Sequence, residues 1–388
     1  MHKIKFFPLV LLLIAIPLHA EVLHSATWGY TIDLPEGFQL EEKIGTDSYQ
    51  FKHSFMPVTT VINAYAPEKY TSSLEAIQNT LTQLNATVTN KIDSFVWQNT
   101  DNAVASFSMQ FNKSIYTGWA FTCSLPENKG TVLLLSYADE QKAEECQQFI
   151  ISILDSFSIG NFPLHTPGPI TSYAFPETED TTYTVNIAQK DISVILDKDA
   201  STANKFVIER EYAILTLYAN SPLWKEAWQR YYRMIYRDSY LRLQKAAFTL
   251  YNQLYPIAKK KDPENPNREL AQILLTWTQG FDYEREKTAS DFANLPSIIA
   301  GGGSDCDSRS MLLAVLLAQM HCKTMMFVSA EYSHAIFGIA VTGQPGKNAH
   351  IDVDEISYLL GETTAKVDIG MIAKDLSDSS KWIPIEGI

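Results

Sequence analysis

Apolar and polar positions alternate through residues 26–160 with the period of half-buried strands, in WGYTIDLPEGF, YQFKH, TTVINAYA, AVASFSMQF, YTGWAFTCSL and GTVLLLSYA. Two stretches interrupt them. SSLEAIQNTLTQL predicts a helix capped by Ser72 or Ser73, and ADEQKAEECQQFIISILDSF predicts one whose first-turn acids suit the helix dipole. In residues 161–180, Pro163, Pro167, Pro169 and Pro176 deny the chain regular pairing, so this segment reads as a linker, with His165 solvated in it. Beyond it, TYTVNIA, ISVILD and FVIEREYAILTLYA are expected as strands. SPLWKEAWQRYYRMIYRDSYLRLQKAAFTLYNQLYP predicts one long helix or two, opened by Ser221 and Pro222 and ended by Pro256. Its aromatics, among them Trp228, Tyr231 and Tyr232, recur at three- and four-residue steps and are expected to pack on neighbouring elements rather than line a groove. NRELAQILLTWTQGFDY predicts a further helix, with Asn267 as its cap.

The last part of the pattern differs in kind. Residues 301–303 are three glycines, a backbone free to take unusual dihedrals, and the run 311–318 is apolar on every face, which predicts a buried helix. MMFVSAEYSHAIFGIAV reads as two strands joined by a short turn, with His334 at the entrance of the second, and IDVDEISYLLGETT as further strand. The whole is an α+β chain: an N-terminal α/β region at 21–160, the linker, and a second region at 181–388.

With 46% hydrophobic and 19% charged residues, a chain of 388 residues can bury more than one core. Lys3 and Lys5 followed by FFPLVLLLIAIPLHA give residues 1–20 the form of an export signal, cleaved after Ala20 and too short for a comfortable membrane span. Residues 1–20 hold two lysines and no acid, so their removal takes the net charge from −13 to −15. That balance argues against nucleic acid or an anionic membrane as the main partner, and no membrane insertion is expected after cleavage. Lys259 to Lys261 read as a solvated helix end. The four cysteines allow three full pairings, among which the residues do not choose.

Cys306 falls where the glycine loop meets the buried helix. A thiol there feels the positive end of the helix dipole and unpaired amides that could also hold an oxyanion, whereas Asp305 and Asp307 act in the opposite direction. A base is needed. His334 on one strand and a carboxylate on the next are cross-strand neighbours, within reach of a helix packed on the sheet, which is what a thiol, base and orienter require.

Two resemblances follow from these residues. The order of elements in the first region, with GYTIDLPEGF at its start and ILDSFSI at its end, resembles the α/β sandwich of the photosystem extrinsic protein PsbP and its bacterial relatives. It implies a binding or scaffolding domain with no catalytic residue to carry over; Cys123 and Cys146 are there either a disulfide or two buried thiols. LLTWTQGFDYERE, GGGSDCDSRSMLLAVLL, EYSHAIFGIAV and YLLGETT, spread over 267–372, resemble the ordered pattern of the transglutaminase-like superfamily of papain-type cysteine enzymes. That resemblance implies Cys306 as nucleophile, His334 as general base and acid, and Glu362 as the orienting acid, with Asp352 the alternative acid.

The chain departs from the pattern in having Glu362 where aspartate is common, and Ser304 between the glycines and Asp305. The expected activity is hydrolysis or transfer of an amide, in a peptide or protein substrate such as cell-wall peptide, with no cofactor and no metal. Zinc is disfavoured because no CxxC or HxxxH spacing joins the cysteines and histidines. The alternative is an inactive scaffold or binding protein of the cell envelope. Cys322 and Trp277 read as core, His321 and His350 as surface residues, and Tyr283 or Gln279 as a further oxyanion donor.

Overall fold

The computed structural model describes residues 22–285, 290–342 and 346–385; the export signal expected at 1–20 lies outside them. The alternating first region forms β1 (Leu23–Ser25), β2 (Tyr30–Ile32), β3 (Phe38–Ile44), β4 (Ser48–His53), β5 (Val58–Tyr65), α1 (Ser73–Gln83), β6 (Thr87–Val88), β7 (Asp93–Trp97), β8 (Thr100–Phe111), β9 (Ser114–Leu125), β10 (Gly130–Asp139), α2 (Ala143–Asp155) and β11 (Phe157–Ile159). Strict alternation in VTTVINAY buries every second residue of β5, as a sheet covered on one face requires. An eight-stranded antiparallel sheet runs β3-β4-β5-β10-β9-β8-β6, with β7 also on β8, and β1-β2-β11 form a small second sheet. Helix α1 packs on one face through Ile77 and Leu81, and α2 on the other through Phe149 and Ile153. Ser72 is the cap of α1: its side chain accepts the Glu75 N–H.

The second region follows as α3 (Pro169–Ala174), β12 (Asp180–Ile187), β13 (Lys190–Asp197), α4 (Ala200–Thr216), α5 (Trp224–Arg242), α6 (Gln244–Lys261), α7 (Pro266–Thr278), α8 (Leu295–Ile299), α9 (Cys306–Gln319), β14 (Thr324–Ser329), β15 (His334–Ala340), β16 (His350–Val353), β17 (Ile356–Gly361) and β18 (Ile383–Pro384). Strands β16-β17-β15-β14-β18 make a five-stranded antiparallel sheet. Helix α9 is buried on all sides, between that sheet and helices α5, α6 and α7, which is why MLLAVLL carries no polar face. The fold is α+β throughout.

Several local expectations are corrected. FVIEREYAILTLYA is not a strand but the body of α4, whose buried residues Ala203, Val207, Ile208, Glu211 and Ile214 recur at helical steps once the upstream STAN turn is included. Pro256 does not end a helix. It lies inside α6, where the carbonyl of Asn252, which loses its N–H partner, is on the same solvent-exposed face. Ser221 does not cap α5; its Oγ accepts the Leu223 N–H in a turn before the helix. The cap position of α7 is Asn265, and Pro266 rather than Asn267 opens the helix. Pro169 starts the short helix α3 within 161–180, and His165 is not simply solvated: its ring stacks on Tyr240 at 4.0 Å and on Phe162 at 5.1 Å.

The two regions share a buried ionic seam. Arg233 holds Asp33 with two hydrogen bonds (2.9 and 3.0 Å), Arg210 pairs with Asp155 and Glu211 (2.8 and 2.7 Å), and Arg230 pairs with Glu211 (2.8 Å). Arg237 donates to the carbonyls of Asp155, Phe157 and Thr166. Ile214, Tyr218 and Ala227 of the second region complete the apolar core of the first.

Candidate active site

Cys306 is the first residue of α9, and side chains on either side fix that helix start. The Asp305 carboxylate accepts the Ser308 N–H (2.9 Å) while Ser308 Oγ accepts the Asp305 N–H (3.0 Å), a complete capping box. Upstream, Gly301 has φ +98°, and a Cβ on Gly303 would fall 2.2 Å from Glu284 Oε2, so the glycines serve a left-handed turn and a close approach. Ser304 is bound by its backbone between Asp282 and Glu284 (3.0 Å each).

Arg309, one turn into α9 and 2% exposed, gathers the pieces of the site. Its guanidinium donates to Ser304 Oγ (2.9 Å), to the Phe281 carbonyl (2.7 Å) and to the Thr363 carbonyl (3.1 Å). The glycine loop, the aromatic loop and the end of β17 are thereby tied to one side chain. Ser304 is the acceptor that Arg309 uses.

His334 opens β15, paired across the hairpin with Ser329 after a turn in which Ser333 adopts φ +47°. Because Phe337 pairs with Gly361, Glu362 follows directly at the end of the neighbouring strand. His334 Nε2 and Glu362 Oε2 are 2.8 Å apart, and Glu362 Oε1 accepts the Thr364 N–H (2.8 Å) and hydroxyl (2.6 Å). Burial pushes the Glu362 carboxyl up, but its bonds to His334 and Thr364 outweigh this and hold it below the ordinary carboxylate range. With Nε2 given to Glu362, Nδ1 is the ring nitrogen left to exchange a proton with a thiol.

The Cys306 thiol donates to Asp307 Oδ1 (3.2 Å). Burial, then the Asp307 and Asp305 carboxylates, push the thiol well above its usual range, against the Ala335 amide. Asp307 also accepts from the Tyr232 hydroxyl (2.5 Å), and burial raises its carboxyl despite that bond. Burial and the neighbouring Asp307 push Asp305 up to about 7.

A cleft of about 230 Å³ opens beside this group, with Trp228, Tyr231, Tyr232, Asp307, Ser333 and His334 among its walls. Cys306 at the start of α9 and the His334–Glu362 pair on β15 and β17 are linked through Asp307, which bonds the thiol and shares the cleft with His334. Asp352 is elsewhere, on the exposed face of β16 with the Ser357 hydroxyl on its carboxylate. Gln279 is no oxyanion donor: its amide nitrogen is used by the carbonyls of Glu362 and Val367 (2.8 Å each), which positions the acid. Cys322 is buried, His321 is exposed against Tyr251, and all four cysteines are free, Cys123 and Cys146 included.

No family model and no curated protein matches the chain. Among solved structures, cyanobacterial PsbP from Synechocystis is similar at 10% identity and TM-score 0.30, over 38% of this chain and 96% of that one. LapG of Legionella pneumophila is similar at 17% identity and TM-score 0.24, over 41% and 78%. A Bacteroides thetaiotaomicron protein is similar at 10% identity and TM-score 0.26, over 77% and 99%. With TM-scores of 0.30 or less, none of these likenesses carries the functional reading.

Four contributors to the site were not read from the sequence. Trp228, Tyr231 and Tyr232 line the cleft instead of only packing, and the hydrogen bond from Tyr232 to Asp307 joins residues 75 positions apart. Their helical spacing identified a face of α5 but not what that face meets. Arg309 had a signal: a charged residue just before the apolar run of a helix expected to be buried needs buried acceptors.

Proposed function

We propose that the chain is an exported cysteine hydrolase or acyltransferase acting on an amide, with Cys306 as nucleophile, His334 as general base and acid, and Glu362 as the acid that orients the imidazole. One observation carries the reading: His334, held to Glu362 at 2.8 Å, lines the same cleft as Asp307, whose carboxylate accepts the Cys306 thiol at 3.2 Å. Export rests on the lysine-led apolar segment of residues 1–20 and on no other feature.

In this reading His334 Nδ1 takes the thiol proton and Sγ attacks the carbonyl carbon. The start of α9 leaves the N–H groups of Cys306 and Asp307 without intrahelical acceptors, since Ser308 and Arg309 donate to Asp305, and they face the developing oxyanion. His334 returns the proton to the departing amine, and water or a second amine resolves the thioester. Hydrolysis of a peptide or related amide is favoured over cross-linking, because water is always present as acceptor.

A second reading, an inactive scaffold, is favoured by one observation: the thiol is 3% exposed and its proton is held by Asp307. Alkylation across pH 5 to 9, followed on the peptide containing Cys306, separates the two. Fast labelling at the acid end that His334→Ala abolishes supports the enzyme; labelling like a free thiol, or none in the native protein, supports the scaffold.

A further inference from the structure

The Cys306 thiol is buried, whereas Asp307, hydrogen-bonded to the sulfur, lines the cleft. One carboxylate oxygen of Asp307 accepts the thiol proton and the other accepts from Tyr232. Among the described residues no lysine or arginine pairs with Asp307. The nearest guanidinium in the cleft, Arg285, spends its Nε and Nη2 on Asp291 Oδ2 (2.9 and 2.5 Å). Trp228, Tyr231 and Tyr232 line the same cleft, and aromatic rings of this kind attract cations.

We propose that Asp307 is the specificity residue of the cleft, recognising a cationic group of the substrate close to the scissile carbonyl, and that this contact frees the Cys306 thiol. The proposal rests on the cysteine-hydrolase reading above. A substrate ammonium donates an N–H to Asp307 Oδ1 in place of the thiol. The thiol proton then passes to His334 Nδ1, and the sulfur lone pair forms the bond to the carbonyl carbon as the carbonyl π pair moves to oxygen. Collapse of that intermediate breaks the C–N bond, and the leaving amine takes its proton from His334. The resting contact of Cys306 with Asp307 thereby holds the thiol back, and a cation speeds its release. The substrate class that follows is an amide carrying a free amine beside the bond attacked, either an α-ammonium or a short basic side chain, which a cleft of about 230 Å³ accommodates.

The test compares three methanethiosulfonates of different charge: 2-ammonioethyl, ethyl and 2-sulfonatoethyl. Each rate of Cys306 labelling in the full chain is divided by that reagent's rate with 2-mercaptoethanol. The expected wild-type result is a cationic reagent favoured over the neutral one by about tenfold, with the anionic reagent disfavoured, the preference shrinking at ~1 M salt. Asp307→Asn, which keeps the shape and can still accept from Tyr232, is expected to bring the ratio to about one. A wild-type ratio within about twofold of unity overturns the proposal without recourse to any variant, as does a ratio unchanged in Asp307→Asn. Labelling that depends on His334 but is indifferent to charge removes this inference and leaves the hydrolase standing; no labelling by any reagent removes both.

Discussion

Glu362 is one methylene longer than the aspartate its position resembles, and Thr364 shows how the longer side chain is held. Two donations from Thr364 fix Oε1, so that Oε2 presents a single lone-pair direction to His334 Nε2. An ionised carboxylate matters here because the imidazole becomes a cation once it has taken the thiol proton. In Glu362→Gln the amide can still accept from His334 through its oxygen, but its NH2 then faces the Thr364 N–H, two donors in conflict, and the charge is gone. Labelling of Cys306 at pH 6 is expected to fall by roughly 10²-fold or more, while the fold is kept. Alkylation kinetics on the Cys306 peptide measure this, and a rate equal to wild type at every pH removes Glu362 from the mechanism. Since the bonded Glu362 carboxyl is held below the ordinary range, it stays ionised as pH falls towards ~4.3, and the acid limb of the labelling profile is not its titration.

At the scale of the element, α9 carries the site because its first turn is over-determined. Asp305 has two separable roles: its carboxylate caps the helix, and its charge adds to that of Asp307 in raising the thiol. Asparagine caps about as well as aspartate, whereas alanine does not, at a cost of about 1 kcal/mol. Asp305→Asn is therefore expected to melt no lower than wild type, and higher as pH rises towards 7 because it removes a buried carboxyl, and to shift Cys306 labelling towards acid pH, with Asp305→Ala having the lower urea midpoint of the two. Should both variants shift the midpoint alike, the cap is not what Asp305 contributes. The apolar run and the hairpin carrying His334 were legible because each is local, a period and a strand pair, whereas the cap was missed because Asp305 was weighed only for its charge. Helix α4 was not, because its apolar run from Phe206 to Ala219 reads as a strand until the polar residues STAN are joined to it. Tyr232 was invisible as part of the site for a different reason, since nothing in the sequence places α5 across the start of α9.

The same limit governs the whole molecule. Arg230, Arg233 and Arg237 recur along one face of α5, yet only the assembled chain shows that face sealing the first region through Asp33, Asp155 and the carbonyls near them. Their guanidinium groups, with Arg210, overcome burial and hold the Asp33 and Asp155 carboxyls below the usual range. The stability those two acids add is present above ~3.9 and is lost as pH falls through their depressed folded values. Glu36, in the same seam and 1% exposed, is the opposite case. Its Oε2 has no hydrogen-bond partner among the described residues, and neither has Oε2 of Glu226 nearby. Burial, with Asp33 and Glu226 against Arg233 and Arg230, pushes Glu36 up to about 8. A group whose folded value is raised stabilises fully below its unfolded value of ~4.3 and loses that contribution as pH climbs through about 8. Asp305 acts in the same direction, so the wild-type curve alone does not isolate Glu36; its difference from Glu36→Gln does. The glutamine is uncharged at every pH and can donate to the unpaired oxygen of Glu226. Urea midpoints are expected to diverge steadily between pH 5 and 9, with Glu36→Gln the more stable at the alkaline end by on the order of a few kcal/mol. Parallel curves over that range would mean that the carboxyl of Glu36 is solvated, and that the seam between the regions is looser than its ion pairs imply.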